Sequence, residues 1–157
     1  RLPNGNTLLT HGAVALEVDT KGQRVWEKHF EANLCQAIRL ENGNTLVATT
    51  ASPGRVVEID PSGKEVLEIK GTLMAYRLQR LANGNTLVTE KGAHFVREFD
   101  PSGKKVWEHS LSSPDGAQRI ANGNTIISNS TGLHEVTPHG KVVWRHAVSG
   151  QTLFWRY

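Results

Sequence analysis

The chain has 157 residues, 38% of them hydrophobic, and a formal charge of +3 with 18 Lys and Arg against 15 Asp and Glu. That length suffices for one domain with a buried core, and the interspersed charges exclude the basic face of a nucleic-acid binder. No apolar run approaches the roughly 18 residues of a membrane-spanning helix, and the lone Cys35 excludes an internal disulfide.

The first residues, RLPNGNTLLT, introduce a phrase that returns as RLENGNTLVA at Arg39, RLANGNTLVT at Arg80 and RIANGNTIIS at Arg119. A second phrase runs in step with it: EVDTKGQRVW from Glu17, EIDPSGKEVL from Glu58, EFDPSGKKVW from Glu98 and EVTPHGKVVW from Glu135. Repeats of about 40 residues are those of four-stranded propeller blades. The expected units are 1–33, 34–73, 74–115 and 116–151, with 152–157 as a further inner strand. In the third unit, period-two alternation and β-branched residues place strands at 74–81, 86–91, HFVREFD and KVWEHS. No sustained helical stripe appears, so the fold is expected to be all-β, a β-propeller of four antiparallel blades.

The two phrases are read as the two reversals each blade needs. Asn83-Gly84 is expected as a two-residue type I′ hairpin, and Asp100-Pro101-Ser102-Gly103 as a type I turn followed by a left-handed Gly. Trp26, Trp107 and Trp144, with Leu67 in the same register, are expected to pack blade on blade. Arg1, Arg39, Arg80 and Arg119 recur alongside Glu17, Glu58, Glu98 and Glu135, which suggests ion pairs within or between blades. The alternative reading is an arginine ring at a central channel, able to hold an anion.

The stretch DPSGKKVW, with Asp100, Gly103 and Trp107 in order, resembles the tryptophan-docking repeat of quinoprotein-type, PQQ-like β-propellers. NGNTLV together with VVEIDPSGKEV resembles bacterial arylsulfotransferase-like propellers. The resemblance implies a propeller over nearly the whole chain, a bacterial origin and a periplasmic or extracellular location. A quinone dehydrogenase often adds a vicinal cysteine pair, which one cysteine cannot supply. Where arylsulfotransferase-like repeats carry a histidine on the inner strand, this chain has Cys35, Tyr76 and Asp115. No catalytic residue and no cofactor is therefore carried over.

Because strands alternate up and down, both recurring turns fall on one face, and the divergent segments HG, ASPG, KG and STG fall on the other. Variable loops on a rigid frame are where binding usually resides. Tyr76, Arg77, Asp115 and Trp155, with His11 and Pro53 beyond them, form the candidate ligand site, since an aromatic beside Arg and Asp can stack and hydrogen-bond. The seven histidines show no zinc spacing, so no metal site is expected.

The expected function is a non-catalytic binding module for a protein, a glycan or a small anion. The alternatives are a fragment of a quinoprotein- or arylsulfotransferase-like enzyme and a purely structural assembly module. The chain opens inside a repeat at Arg1, as a trimmed or excised piece would. TLFWRY at its end resembles TLMAYR at 72–77 and can complete the first blade. Two chains joined head to tail, or a longer parent, are the other routes to a ring, and assembly is expected over a closed four-blade monomer.

Overall fold

The computed structural model describes residues 1–148, and these hold strands and turns with no helix. The strands form four antiparallel sheets. The first contains β1 (Thr7–His11), β2 (Val14–Val18) and β3 (Arg24–His29). The second contains β4 (Leu34–Arg39), β5 (Thr45–Thr49), β6 (Gly54–Ile59) and β7 (Glu65–Thr72). The third contains β8 (Ala75–Arg80), β9 (Thr86–Glu90), β10 (Phe95–Phe99) and β11 (Lys105–Ser110). The fourth contains β12 (Gly116–Arg119), β13 (Thr125–Asn129), β14 (Gly132–Val136) and β15 (Val142–Ala147). This is the four-sheet β-propeller arrangement that the repeats imply. The segment 152–157, expected as an inner strand, lies outside the described residues.

The core sits between sheets and explains why the second strands read as continuous apolar runs. Every residue of β5 and β9 is buried, because each faces a neighbouring sheet on both sides. Alternation then assigns successive side chains to different joints. Val47 packs with Ala15, Leu34, Val57 and Ile59 towards the first sheet, whereas Leu46 packs with Ala75, Leu78 and Val88 towards the third. Leu87, Val96, Ile127 and Val136 fill the joint between third and fourth sheets. Outer strands β3 and β11 alternate between exposed and half-buried residues, as edges facing water should. Trp26 packs against the first of these clusters and Trp107 against the last, blade on blade as expected, whereas Trp144 is 45% exposed and joins no cluster among the described residues.

Inner strands are stitched together by glutamine amides. Gln36 of β4 accepts the Leu78 amide at 2.7 Å, and Gln79 of β8 accepts the Arg119 amide at 2.8 Å. Each bond satisfies a backbone donor that no strand pairing reaches.

The Asn-Gly turn differs from its expected form. Asn83 does not take a positive φ, so the turn is not type I′; only Gly84 does, at 85°. The Gly84 amide donates to the Leu81 carbonyl at 2.9 Å, and the Leu81 amide to the Asn85 carbonyl at 2.8 Å. The loop is thus three residues long, Ala82-Asn83-Gly84, with a left-handed Gly in the bulge position. Asn83 serves instead through its side chain, whose Oδ1 accepts the Asn85 amide at 3.0 Å. The Asp-Pro-Ser-Gly turns have the same backbone plan, as expected, with Gly103 at 82°. Asp100 Oδ1 accepts from the Ser102 amide at 2.9 Å, its hydroxyl at 2.6 Å and the Lys104 amide at 3.0 Å. These donors, the Ser102 hydroxyl foremost, hold Asp100 and likewise Asp60 below the ordinary aspartate pKa.

Candidate functional site

The turn face is built from one joint used three times. Glu17 lies near the end of β2, and its Oε1 accepts from Asn6 at 2.6 Å in the same blade. Its Oε2 accepts from Arg39 of the next blade at 2.7 Å. Glu58 is held in the same way by Asn44 and Arg80, and Glu98 by Asn85 and Arg119. Each arginine is also steadied locally: Arg39 donates to the Gly43 carbonyl at 3.1 Å and Arg80 to Gly84 at 2.6 Å. Arg39 further lies over the Trp26 ring at 5.0 Å, and Arg119 over Trp107 at 5.3 Å. Asn6, ahead of other donors that include Arg39, keeps Glu17 below the usual carboxylate pKa despite its burial.

These pairs run between blades, which resolves the choice left open by the recurring charges. Arg39 and Arg80 do line a cavity of about 810 Å³ beside Leu40 and Leu81, but each is paired with a carboxylate, Arg39 with Glu17 and Arg80 with Glu58. Arg1 donates to the Gly5 carbonyl at 2.9 Å and has no ion pair among the described residues.

On the opposite face the structure brings Tyr76, Arg77 and Asp115 together, and adds Lys91. Tyr76 and Arg77 lie near the start of β8, where the inner strand leaves the loop face. Lys91 comes from the β9–β10 hairpin, and Asp115 precedes β12. Lys91 Nζ pairs with the Asp115 carboxylate, which is almost fully buried. Arg77 lies over the Tyr76 ring at 5.1 Å and Lys91 over the same ring at 5.2 Å. The link preceding β8 adds exposed Leu73 and Met74. Trp155 lies outside the described residues.

The patch is rigid. Lys91 and Gly92 donate backbone bonds to the Met74 and Leu73 carbonyls at 3.1 and 3.2 Å. The fully buried Glu90 accepts the Leu73 amide at 3.0 Å and both arms of an Arg97 bond at 3.1 Å. Met74, His94 and Ser113, none of them glycine, take positive φ in these loops. Left-handed residues held by their surroundings concentrate where a loop is shaped for a purpose.

His11 lies two sheets away, at the β1–β2 hairpin. Its position in the repeat is that of Thr49, Glu90 and Asn129, each of which ties down its own loop. Thr49 Oγ1 accepts the Arg55 amide at 2.9 Å, and Asn129 Oδ1 accepts the Thr131 amide at 3.0 Å. His11 itself is exposed. Pro53 lines a separate groove of about 290 Å³ with Phe30, Arg55, Glu68 and Lys70. Cys35 on β4 is half-buried, and burial pushes its thiol pKa up against the opposing charge of Arg77, so it is a poor nucleophile. No cluster of three metal-ligating side chains occurs among the described residues.

Sequence reasoning missed Lys91, Glu90, Leu73 and Met74. Lys91 stands within the divergent KG hairpin, so its variability was the available signal. Nothing local marks Glu90, because its partners come from a link 17 residues earlier and from the next strand.

Sheets stacked through a repeated Arg–Glu joint, with the divergent loops on one face, define a β-propeller of the PQQ-like repeat class. Residues 10–152 match the family described as outer membrane protein assembly factor BamB, and the chain belongs to that family. A search of curated proteins returns no match. Among solved structures, a protein of unknown function from Bacteroides caccae superposes with a TM-score of 0.75 at 21% identity, over 91% of this chain and 57% of that one. Virginiamycin B lyase from Staphylococcus aureus gives 0.74 at 15% identity, over 94% of this chain and 53% of the lyase. BamB from Moraxella catarrhalis gives 0.67 at 16% identity, over 96% and 50%. The chain thus spans about half the length of the structures it resembles.

Proposed function

We propose that this chain is a protein-binding propeller segment whose contact surface is the Leu73–Met74–Tyr76 patch with Lys91, Arg77 and Asp115. The observation that carries the reading is an apolar and aromatic surface held rigid by Glu90 and bordered by two cations. Rigid aromatics ringed by charge suit a protein segment, since they contribute contact area with little loss of conformational freedom on binding. The description of the family as an assembly factor supports a protein partner over a glycan or a small anion.

Panning a displayed peptide library on the wild-type chain, with Tyr76→Ala and Lys91→Ala as counter-selections, tests this. Enrichment of aromatic-containing peptides that lose at least tenfold in affinity on both variants is the expected result. Peptides bound equally by all three proteins would remove the patch from consideration.

A further inference from the structure

The link from β11 to β12, residues 111–115, carries Asp115 to the loop-face patch, and a side chain of the preceding hairpin fastens it. His94, exposed and one residue ahead of β10, accepts the Ser113 amide on Nδ1 at 2.9 Å. Its carbonyl accepts the Leu111 amide at 3.0 Å. The carbonyl bond belongs to the repeat: Ala13 accepts the Phe30 amide at 2.8 Å and Thr131 the Val148 amide at 3.2 Å in the same way. The imidazole bond does not. Ala13 and Gly54 at the equivalent positions have no side-chain acceptor, and the Thr131 hydroxyl donates to its own neighbour Asn129.

That bond fixes a protonation state. An imidazole nitrogen that accepts from a backbone N–H must keep its lone pair, so Nδ1 is bare and the ring proton sits on Nε2. A second proton would turn Nδ1 into a donor facing another donor. Ser113 has φ 44° and His94 φ 61°, left-handed conformations that such residues keep only where their surroundings hold them. The charged groups on the flanking elements already have partners. Lys91 of the same hairpin pairs with Asp115 of the link, Arg97 of β10 with Glu90 of β9 and Glu108 of β11, and Lys105 of β11 with Glu108. The other titratable groups there are His109 on β11, opposite Val96, and His134 on β14 of the next blade. No carboxylate pairs with His94 among the described residues, so none compensates an imidazolium charge.

We infer that His94 is a proton-operated pin on the link 111–115. With Nδ1 bare, the link is fastened at Ser113 and presents Asp115 to Lys91, which lies over Tyr76. With the ring doubly protonated, the Ser113 amide loses its acceptor. The link then keeps only the Leu111 amide on the His94 carbonyl, the Asn129 amide group on Ser112 and the Asp115 amide on Ser128. Ser113 leaves its left-handed conformation, and the surface beside Tyr76 changes shape. The closed link binds fewer protons than the open one, so neutral pH favours it. It is given up as acid charges the imidazole, a step that free histidine takes at about pH 6.5. The switch governs partner binding on the reading that the Tyr76 patch is the contact surface, and that part of the inference rests on it.

Nuclear magnetic resonance of the 157-residue chain between about pH 8 and about pH 5 tests the pin with no partner present. The His94 ring and the Ser113 amide are expected to titrate together, with the Tyr76 ring resonances following. Protection of the Ser113 amide, corrected for the intrinsic pH dependence of exchange, should fall about tenfold in acid. His94→Asn keeps a side-chain acceptor on a residue type that tolerates positive φ, and should hold Ser113 protected at both ends of the range. His94→Gly keeps the backbone conformation and removes the acceptor, so Ser113 should be open even at neutral pH. A Ser113 amide that stays protected once His94 is charged overturns the inference. So does an acid response that survives in His94→Asn, which would assign it to His109 and His134. The readout involves no bound peptide, so its failure leaves the patch reading standing, and failure of the peptide selection leaves the pin standing.

Discussion

The two faces of the stack are made by the same strands and obey different rules. On the turn face, one set of residues solves one problem at three successive joints: Asn and Arg on a buried Glu, with an Asp or Thr side chain ordering the outer turn of each blade. On the loop face, the same repeat position is Thr49, Glu90 or Asn129, and each closes a different loop with different bonds. The contrast teaches that inter-blade spacing is set where the chain repeats itself. The loop face is rigid for reasons particular to each blade, and so is able to differ.

The largest predicted effect is steric and lies on the loop face. Gly132 has φ +142°, and an added Cβ would fall 2.0 Å from the His146 carbonyl oxygen, which is backbone and cannot swing away. Gly132→Ala should cost about 4 kcal/mol, read as a lowered denaturant midpoint with loss of the outer hairpin of the fourth blade. On the turn face, Glu98→Ala would leave Arg119 without its carboxylate and Asn85 without its acceptor. A loss of about 3 kcal/mol is expected, with Glu98→Gln losing less because it keeps an acceptor for Asn85. Equal costs for the two Glu98 variants would argue against the charge pair as the source.

Gly84→Ala sharpens the comparison from the other side. The added Cβ meets only Pro101 at 3.5 Å, so the penalty is the positive φ alone, about 1 kcal/mol. Acid should separate a third region, the joint between the third and fourth blades. Burial, and then the charge of His134, lowers the His109 pKa; burial, and then Arg145, lowers that of His134. The folded state therefore prefers both imidazoles neutral. Their contribution is fully present above about pH 6.5 and is lost as pH falls from there through the lower folded values. Glu17, Asp60 and Asp100, also lowered, contribute above the unfolded carboxylate range and lose that contribution only at still lower pH. Melting temperature against pH should show two descents, and His134→Leu should flatten the upper one. The smallest effect belongs to Tyr76→Ala, expected within about 0.5 kcal/mol of wild type because the ring is held by side chains above it rather than by the core.

Particular residues show where the sequence is legible. The strands of the third blade, the Asp-Pro-Ser-Gly turn at Asp100 and the packing of Trp26 and Trp107 follow from period and composition, since each depends on neighbours a few positions away. The turn at Asn83 departs from expectation because Asn-Gly is compatible with two loop lengths. The closing bond between Leu81 and Asn85 selects the longer one. The grouping of Tyr76, Arg77 and Asp115 follows from strand direction, while Lys91 needed the structure to reveal it.

By itself the sequence determined the repeat, the all-β class and the residues that each blade would offer to the next. Such choices are written in local periodicity and turn chemistry, and every copy of the phrase states them again. Only the tertiary structure decided that Arg39 reaches back to Glu17 and that Glu90 anchors the link before β8. Those outcomes depend on how whole sheets stack, and stacking joins residues whose separation along the chain carries no periodic signal.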